Sequence, residues 1–135
     1  MATARDVVQR ALRIIGVAAH DEPVHAAEAA IALTSLNAML KGWEAHSVDV
    51  NHDTDYTLSS AFETATLTAK YRDAVTHCLA KEIAPEFGVS LTAEAARSAI
   101  DGWSIIQANF LTSEDLTFDK AMRRMPSRRY GVGYF

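Results

Sequence analysis

The chain has 135 residues, of which 49% are hydrophobic and 22% charged, and a formal net charge of −4. That composition suits one globular domain with a single core and excludes a fibrous or collagen-like chain. The lone cysteine, Cys78, excludes a disulfide framework. No apolar run approaches the ~18 residues of a membrane span or forms a signal-peptide core, so a soluble chain made in the cytoplasm is expected.

In chain order, Thr3-Ala4-Arg5-Asp6 opens like a capping box, with Asp6 where glutamate usually stands. Ala4, Val8, Ala11, Leu12 and Ile15 then recur at helical spacing, and Gly16 stops the helix. Arg5, Gln9, Arg10 and Arg13 fall on its other faces as a solvated surface. A second helix is expected to start at Pro23, with Asp21 or Glu22 as its cap. Leu33, Leu36, Leu40 and Trp43 carry its apolar stripe, and Ala26, Ala29 and Ala30 leave room for close approach of a neighbour. Gly42 weakens the last turn, and the helix ends near His46.

Residues 47–67 lose the helical period. Val48 and Val50, then Tyr56 and Leu58, alternate with polar residues around a turn at Asn51–Thr54, which predicts a short two-stranded ribbon or extended loop. Residues 59–67 are a linker or a further extended piece. Thr68 to Phe110 reads as two amphipathic helices. The first stripe is Tyr71, Val75, Cys78, Leu79 and Ile83, with Glu82 at its edge. Pro85 strains or ends the last turn, and Gly88 supplies the C-terminal cap. Thr92, with Ser90 as its rival, caps the next helix, whose stripe is Ala96, Ile100, Trp103, Gln107 and Phe110, with Ala99 and Ile106 beside it. Two such stripes joined by a short turn make an antiparallel hairpin.

Past Phe110 the pattern loosens. Residues 120–125 suit a short helix ending before Pro126, and Tyr130, Val132 and Tyr134 alternate with glycines. A period-two stripe with a bare opposite face cannot build a core, but it can add as a strand to another chain. Charge divides along the same line. Residues 1–111 hold 14 acidic and 8 basic side chains, a net of −6, whereas residues 112–135 hold 3 and 5, a net of +2. No acid follows Asp119. An acidic body with a basic arm points to a partner that the arm touches and the body does not.

Site chemistry is sparse. Asp49, Asn51, Asp53 and Asp55 alternate like a calcium loop, but Thr54 stands where the turn needs glycine and Ser60 where a bidentate glutamate belongs. His20, His25, His46, His52 and His77 have no zinc-ligand spacing. His77 and Cys78 are adjacent on a helix and so point about 100° apart. No nucleotide-binding glycine loop or nucleophile elbow occurs. No catalytic, metal or cofactor residue is therefore expected. A DNA-reading helix is disfavoured too, because residues 92–110 carry Arg97 against Glu94 and Asp101.

The opening, residues 3–50, resembles the N-terminal helix pair of head–tail connector (adaptor) proteins of tailed bacteriophages. The motifs are Ile15-Gly16, the polar loop to Pro23, and Leu36-Asn37-Ala38-Met39-Leu40 closing on Trp43. Residues 71–88, from Tyr71-Arg72-Asp73-Ala74-Val75 to Ile83-Ala84-Pro85-Glu86-Phe87-Gly88, resemble that family's third helix. The segment between Val48 and Leu67 is shorter than in podovirus-type members. The resemblance implies a virion protein that binds beneath the portal protein as a dodecameric ring of its own copies. Such a ring extends the DNA channel, lets genomic DNA pass without sequence-specific contacts, and receives the next tail or stopper protein.

The expectation is thus a mostly α protein. Residues 1–111 form a small bundle of four main helices with the extended segment 47–67 inserted, and residues 112–135 form a docking arm. Portal or intersubunit docking is expected of Arg123, Arg124, Arg128, Arg129, Tyr130, Val132, Tyr134 and Phe135. The alternative is a small helical nucleic-acid-binding protein that sets the same arginines on phosphates.

Overall fold

The computed structural model describes residues 2–111. The short helix expected at 120–125 and the arm lie outside the described residues. The fold is mostly helical: α1 (Ala4–Ile14), α2 (Ala26–Gly42) running into a 3-10 turn at Trp43–His46, a second 3-10 turn at Ala69–Tyr71 leading into α3 (Arg72–Ile83), and α4 (Ala93–Phe110). Among these residues β-structure is confined to the isolated bridges Thr3–Ala61 and Val48–Leu111, and no helix is long and apolar enough to cross a membrane.

The predicted helix ends form for the predicted reasons. The Asp6 carboxylate reaches back to accept the Thr3 amide at 2.9 Å and the Thr3 hydroxyl at 3.2 Å. Gly16 has φ +80°, its amide donates to Arg13 and the Val17 amide to Leu12, which closes α1 with a Schellman motif. The same pair of bonds recurs after α3, from Gly88 (φ +66°) to Pro85 and from Val89 to Ala84. Pro85 removes one amide from the ladder there, yet the chain keeps turning to Phe87, whose amide still donates to Ile83. Thr92 caps α4 by accepting the Ala95 amide at 3.2 Å.

α2 starts later than predicted. His25 occupies the cap position and Ala26 is the first helical residue, so Pro23, Asp21 and Glu22 lie in the loop. Val24 explains the shift: its side chain packs on the core, and the chain around it must run extended to place it there. Ala29 is buried as expected, but Ala26 and Ala30 face solvent and Ala32 takes their place in the packing.

α3 is the hub, packing against α1, α2 and α4. Ala74, Val75, Thr76, Cys78, Leu79, Ala80 and Ile83 are all buried along it, while Glu82 stays exposed. Burial on so many sides is why α3 is rich in small residues. At the α4 contact Gly102 lies over Ala74, where a Cβ on residue 102 would sit 3.0 Å from the Ala74 backbone. One turn further, the Cys78 thiol donates to the Ala99 carbonyl at 3.7 Å. The buried face of α4 is accordingly Ala99, Gly102 and Ile106. The expected stripe is rotated: Ile100 is 61% exposed, and Trp103, Gln107 and Phe110 are only half-buried.

The 47–67 segment is an ordered wrap. Val48 and Val50 do not pair with Tyr56 and Leu58. The edges they would have offered one another are satisfied by the helices instead, and Val48, Val50, Phe62 and Leu67 insert into the core. Asn37 of α2 holds the wrap like a backbone surrogate, its Oδ1 accepting the Tyr56 amide at 2.8 Å and its Nδ2 donating to the Tyr56 carbonyl at 3.1 Å. The returning strand of chain then caps α1. Its Ser60 and Leu58 carbonyls accept the Ala4 and Arg5 amides at 2.9 and 3.1 Å, donors that a helix cannot satisfy internally.

Candidate docking site

Arg123, Arg124, Arg128, Arg129, Tyr130, Val132, Tyr134 and Phe135 lie outside the described residues. The structure does place the point from which their segment departs. The end of α4 is held by the Asp49 amide donating to the Phe110 carbonyl at 3.3 Å, by the Val48–Leu111 bridge, and by an edge-on contact of Tyr71 with Phe110 at 4.8 Å. Leu111 itself is exposed.

Beside that point lies the most distinctive surface of the body. α2 and α4 flank α3 but hardly touch each other, and the space between them is an open trough of about 540 Å³. Ser35, Ala38, Met39 and Gly42 form its α2 wall, continued by Trp43 and His46. Ala99, Trp103 and Gln107 form the α4 wall, and Cys78, Lys81, Glu82 and Glu86 the floor and far rim. The trough exists because α2 turns small side chains and α4 its half-buried flank toward it, so neither helix fills the gap.

Its near end is aromatic. Trp43 and Trp103 meet at 5.4 Å between ring centres, and His46 stands edge-on to Trp103 at 6.0 Å. Its far end carries two acids, Glu82 and Glu86, beside one base, Lys81. The Ser35 hydroxyl donates to Glu86 at 3.4 Å, and among the described residues neither Glu82 nor Glu86 forms an ion pair. Burial pushes the Cys78 thiol from its usual 9.0 up to about 11, against the pull of Lys81, so the floor presents a protonated thiol and not a nucleophile. Trp43 is buried in the core as its stripe predicts, whereas Trp103 is only half-buried and the trough beside it is not legible in the sequence period. The available signal was Gln107 one turn after Trp103 on α4, a polar residue inside a stripe that would otherwise be core.

Other polar groups are already engaged. Arg10 pairs with Asp73, and Arg72 with Glu63 at 3.1 Å, around a smaller hollow between α1 and α3. His77 bonds the Asp73 carbonyl of its own helix at 2.8 Å and does not face Cys78. In the Asp49–Asp55 loop, Asp49 accepts the Asn51 amide at 2.8 Å, and Asp55 pairs with Lys41 at 2.6 Å, which lowers its pKa. Among the described residues no group of three or more His, Cys, Asp or Glu side chains is placed to hold a metal ion. His52 is buried against the Asn37 amide at 3.1 Å and the Tyr56 ring at 4.8 Å, and burial lowers its pKa.

No protein-family model matches the chain, and no curated protein matches it.

Proposed function

We propose that the protein is a non-enzymatic assembly component of a tailed bacteriophage virion, a head–tail adaptor. It would bind below the portal protein as a ring of its own copies, extend the DNA channel and present the attachment surface for the next tail component. The observation that carries this reading is the division between an acidic helical body, net −6 over residues 1–111, and a basic aromatic arm, net +2 over residues 112–135. A docking arm on a self-sufficient body is the arrangement expected of a subunit that joins two assemblies. The exposure of Ile31, Ile100, Ile105 and Leu111 fits it, since large apolar side chains on a small body are available to neighbouring subunits. An acidic body also suits a lumen through which DNA must slide without sticking. The resemblance of residues 3–50 and 71–88 to phage connectors supplies the particular partner.

The experiment is co-purification with the portal protein encoded in the same genome, read by particle imaging and native mass. A collar matching the portal's symmetry supports the proposal, and a bare portal refutes it. Removing residues 126–135 should leave a folded chain that no longer joins portal rings.

The acid-free run after Asp119 favours one other reading, phosphate binding by Arg123, Arg124, Arg128 and Arg129. That reading requires duplex affinity to fall steeply with salt, by roughly four counterions for four contacts. Absence of DNA binding at low salt eliminates it.

A further inference from the structure

We propose that the trough between α2 and α4 is the receptor for this chain's own arm, residues 120–135, in the free protein. The inference concerns the chain before assembly and stands whether or not the protein joins a portal.

Three observations carry it. The first is chemical fit. The trough joins a Trp43–Trp103 aromatic end to a Glu82 and Glu86 rim with no cation paired to it among the described residues. The arm offers the complement, with Tyr130, Tyr134 and Phe135 for the aromatic end and Arg123, Arg124, Arg128 and Arg129 for the acids. Arginine and tyrosine are the side chains that most often anchor such surfaces.

The second is position. Leu111 lies one helical turn beyond Gln107, which lines the near end of the trough. Going back from Leu111 to Ala99 along α4 covers about 18 Å. A chain of the length from Leu111 to Arg123 has a root-mean-square span of about 20 Å. The tether matches the distance, the condition under which the local concentration of a linked ligand is greatest, of millimolar order. A second molecule's arm cannot compete at ordinary protein concentrations, so the chain's own arm is the favoured occupant.

The third is that, among the described residues, none fills the trough. The wrap of residues 47–67 is held by Asn37, Ala4 and Arg5 and by the end of α4 at Phe110 and Leu111, and none of its residues lines the trough. Docked there, the arm would shield the aromatic end and neutralise Glu82 and Glu86, and a ring partner would have to displace it.

Photocrosslinking of the full chain tests this. p-Benzoylphenylalanine replaces Ala38, an exposed residue on the α2 wall, in a mixture of isotopically light and heavy protein. Irradiation should join residue 38 to peptides from 120–135 of the same isotopic form. Crosslinks between light and heavy chains, or same-chain crosslinks with nothing from 120–135, would overturn the proposal. Glu82→Lys with Glu86→Lys, both on the exposed surface, should cut the yield at least fivefold with an unchanged circular dichroism spectrum. Adding Arg128→Glu with Arg129→Glu should restore it. A yield that ignores both pairs of substitutions removes Glu82 and Glu86 from the binding site and refutes the assignment.

Discussion

Replacing Gly102 with alanine separates helix propensity from packing, because the two predict opposite signs. Propensity alone favours alanine over glycine inside a helix by about 1 kcal/mol. At position 102, however, the new Cβ would lie 3.0 Å from both the Cα and the carbonyl oxygen of Ala74 and 3.3 Å from its Cβ. Carbon–carbon contacts are comfortable at about 3.5–4.0 Å, so α4 must move away from α3 by roughly half an ångström. The neighbour is backbone and cannot swing aside, so the cost falls on the whole α3–α4 contact, including the Cys78–Ala99 interaction. Overpacking of this kind costs about 1–3 kcal/mol. The net expectation is a loss of about 1 kcal/mol after the propensity gain is subtracted. Gly42 is the control: it is helical, and nothing lies within 4 Å of a Cβ built on it. Gly42→Ala should therefore stabilise by about 0.5–1 kcal/mol. Urea unfolding of the two variants should place them about 2 kcal/mol apart on either side of the parent, with unchanged slopes. If Gly102→Ala is as stable as Gly42→Ala, the close approach of α3 and α4 is wrong.

Removing the Asn37 side chain with Asn37→Ala should cost about 2–4 kcal/mol, because it strips partners from the Tyr56 amide, the Tyr56 carbonyl and His52 together. Equilibrium unfolding measures this, and a loss below about 1 kcal/mol would mean the wrap is held by its apolar insertions alone. Burial holds the folded-state pKa of His52 below 6.5, so the unfolded chain takes up the proton first and stability falls as pH drops from 6.5 toward the folded value. His52→Gln should flatten that part of the stability profile, and an unchanged slope would assign it to another group. Cys78, with its thiol near 11 against an ordinary 9.0, carries about a hundredfold less thiolate than an unfolded cysteine at neutral pH. A thiol reagent should label native protein at least a hundredfold more slowly than denatured protein, and equal rates would contradict the buried position of Cys78.

The sequence by itself determined where three of the four helices start or stop, because those signals are local. Thr3 with Asp6, Gly16, Gly88 and Thr92 each act on backbone groups within a few residues, and all form the predicted bonds. It also determined the core face of α3, where an apolar period meets burial on several sides. Only the tertiary structure decided the rest. Val24 delays the start of α2 because its burial outweighs the preference of Pro23 for a first turn. The 47–67 segment, which read as a ribbon, pairs with α1, α2 and the end of α4, since its hydrogen-bond partners lie far away in sequence. The rotation of α4 was hidden in the same way. Gly102 reads as a weak point in an isolated helix, but against Ala74 it leaves no room for a side chain, since a Cβ there would meet the Ala74 backbone at 3.0 Å. Bringing that face inward turns Trp103 and Gln107 to the flank and opens the trough beside them. A sequence period fixes which residues share a stripe. How far that stripe faces the core depends on the volume of what it packs against, and that is known only when the helices meet.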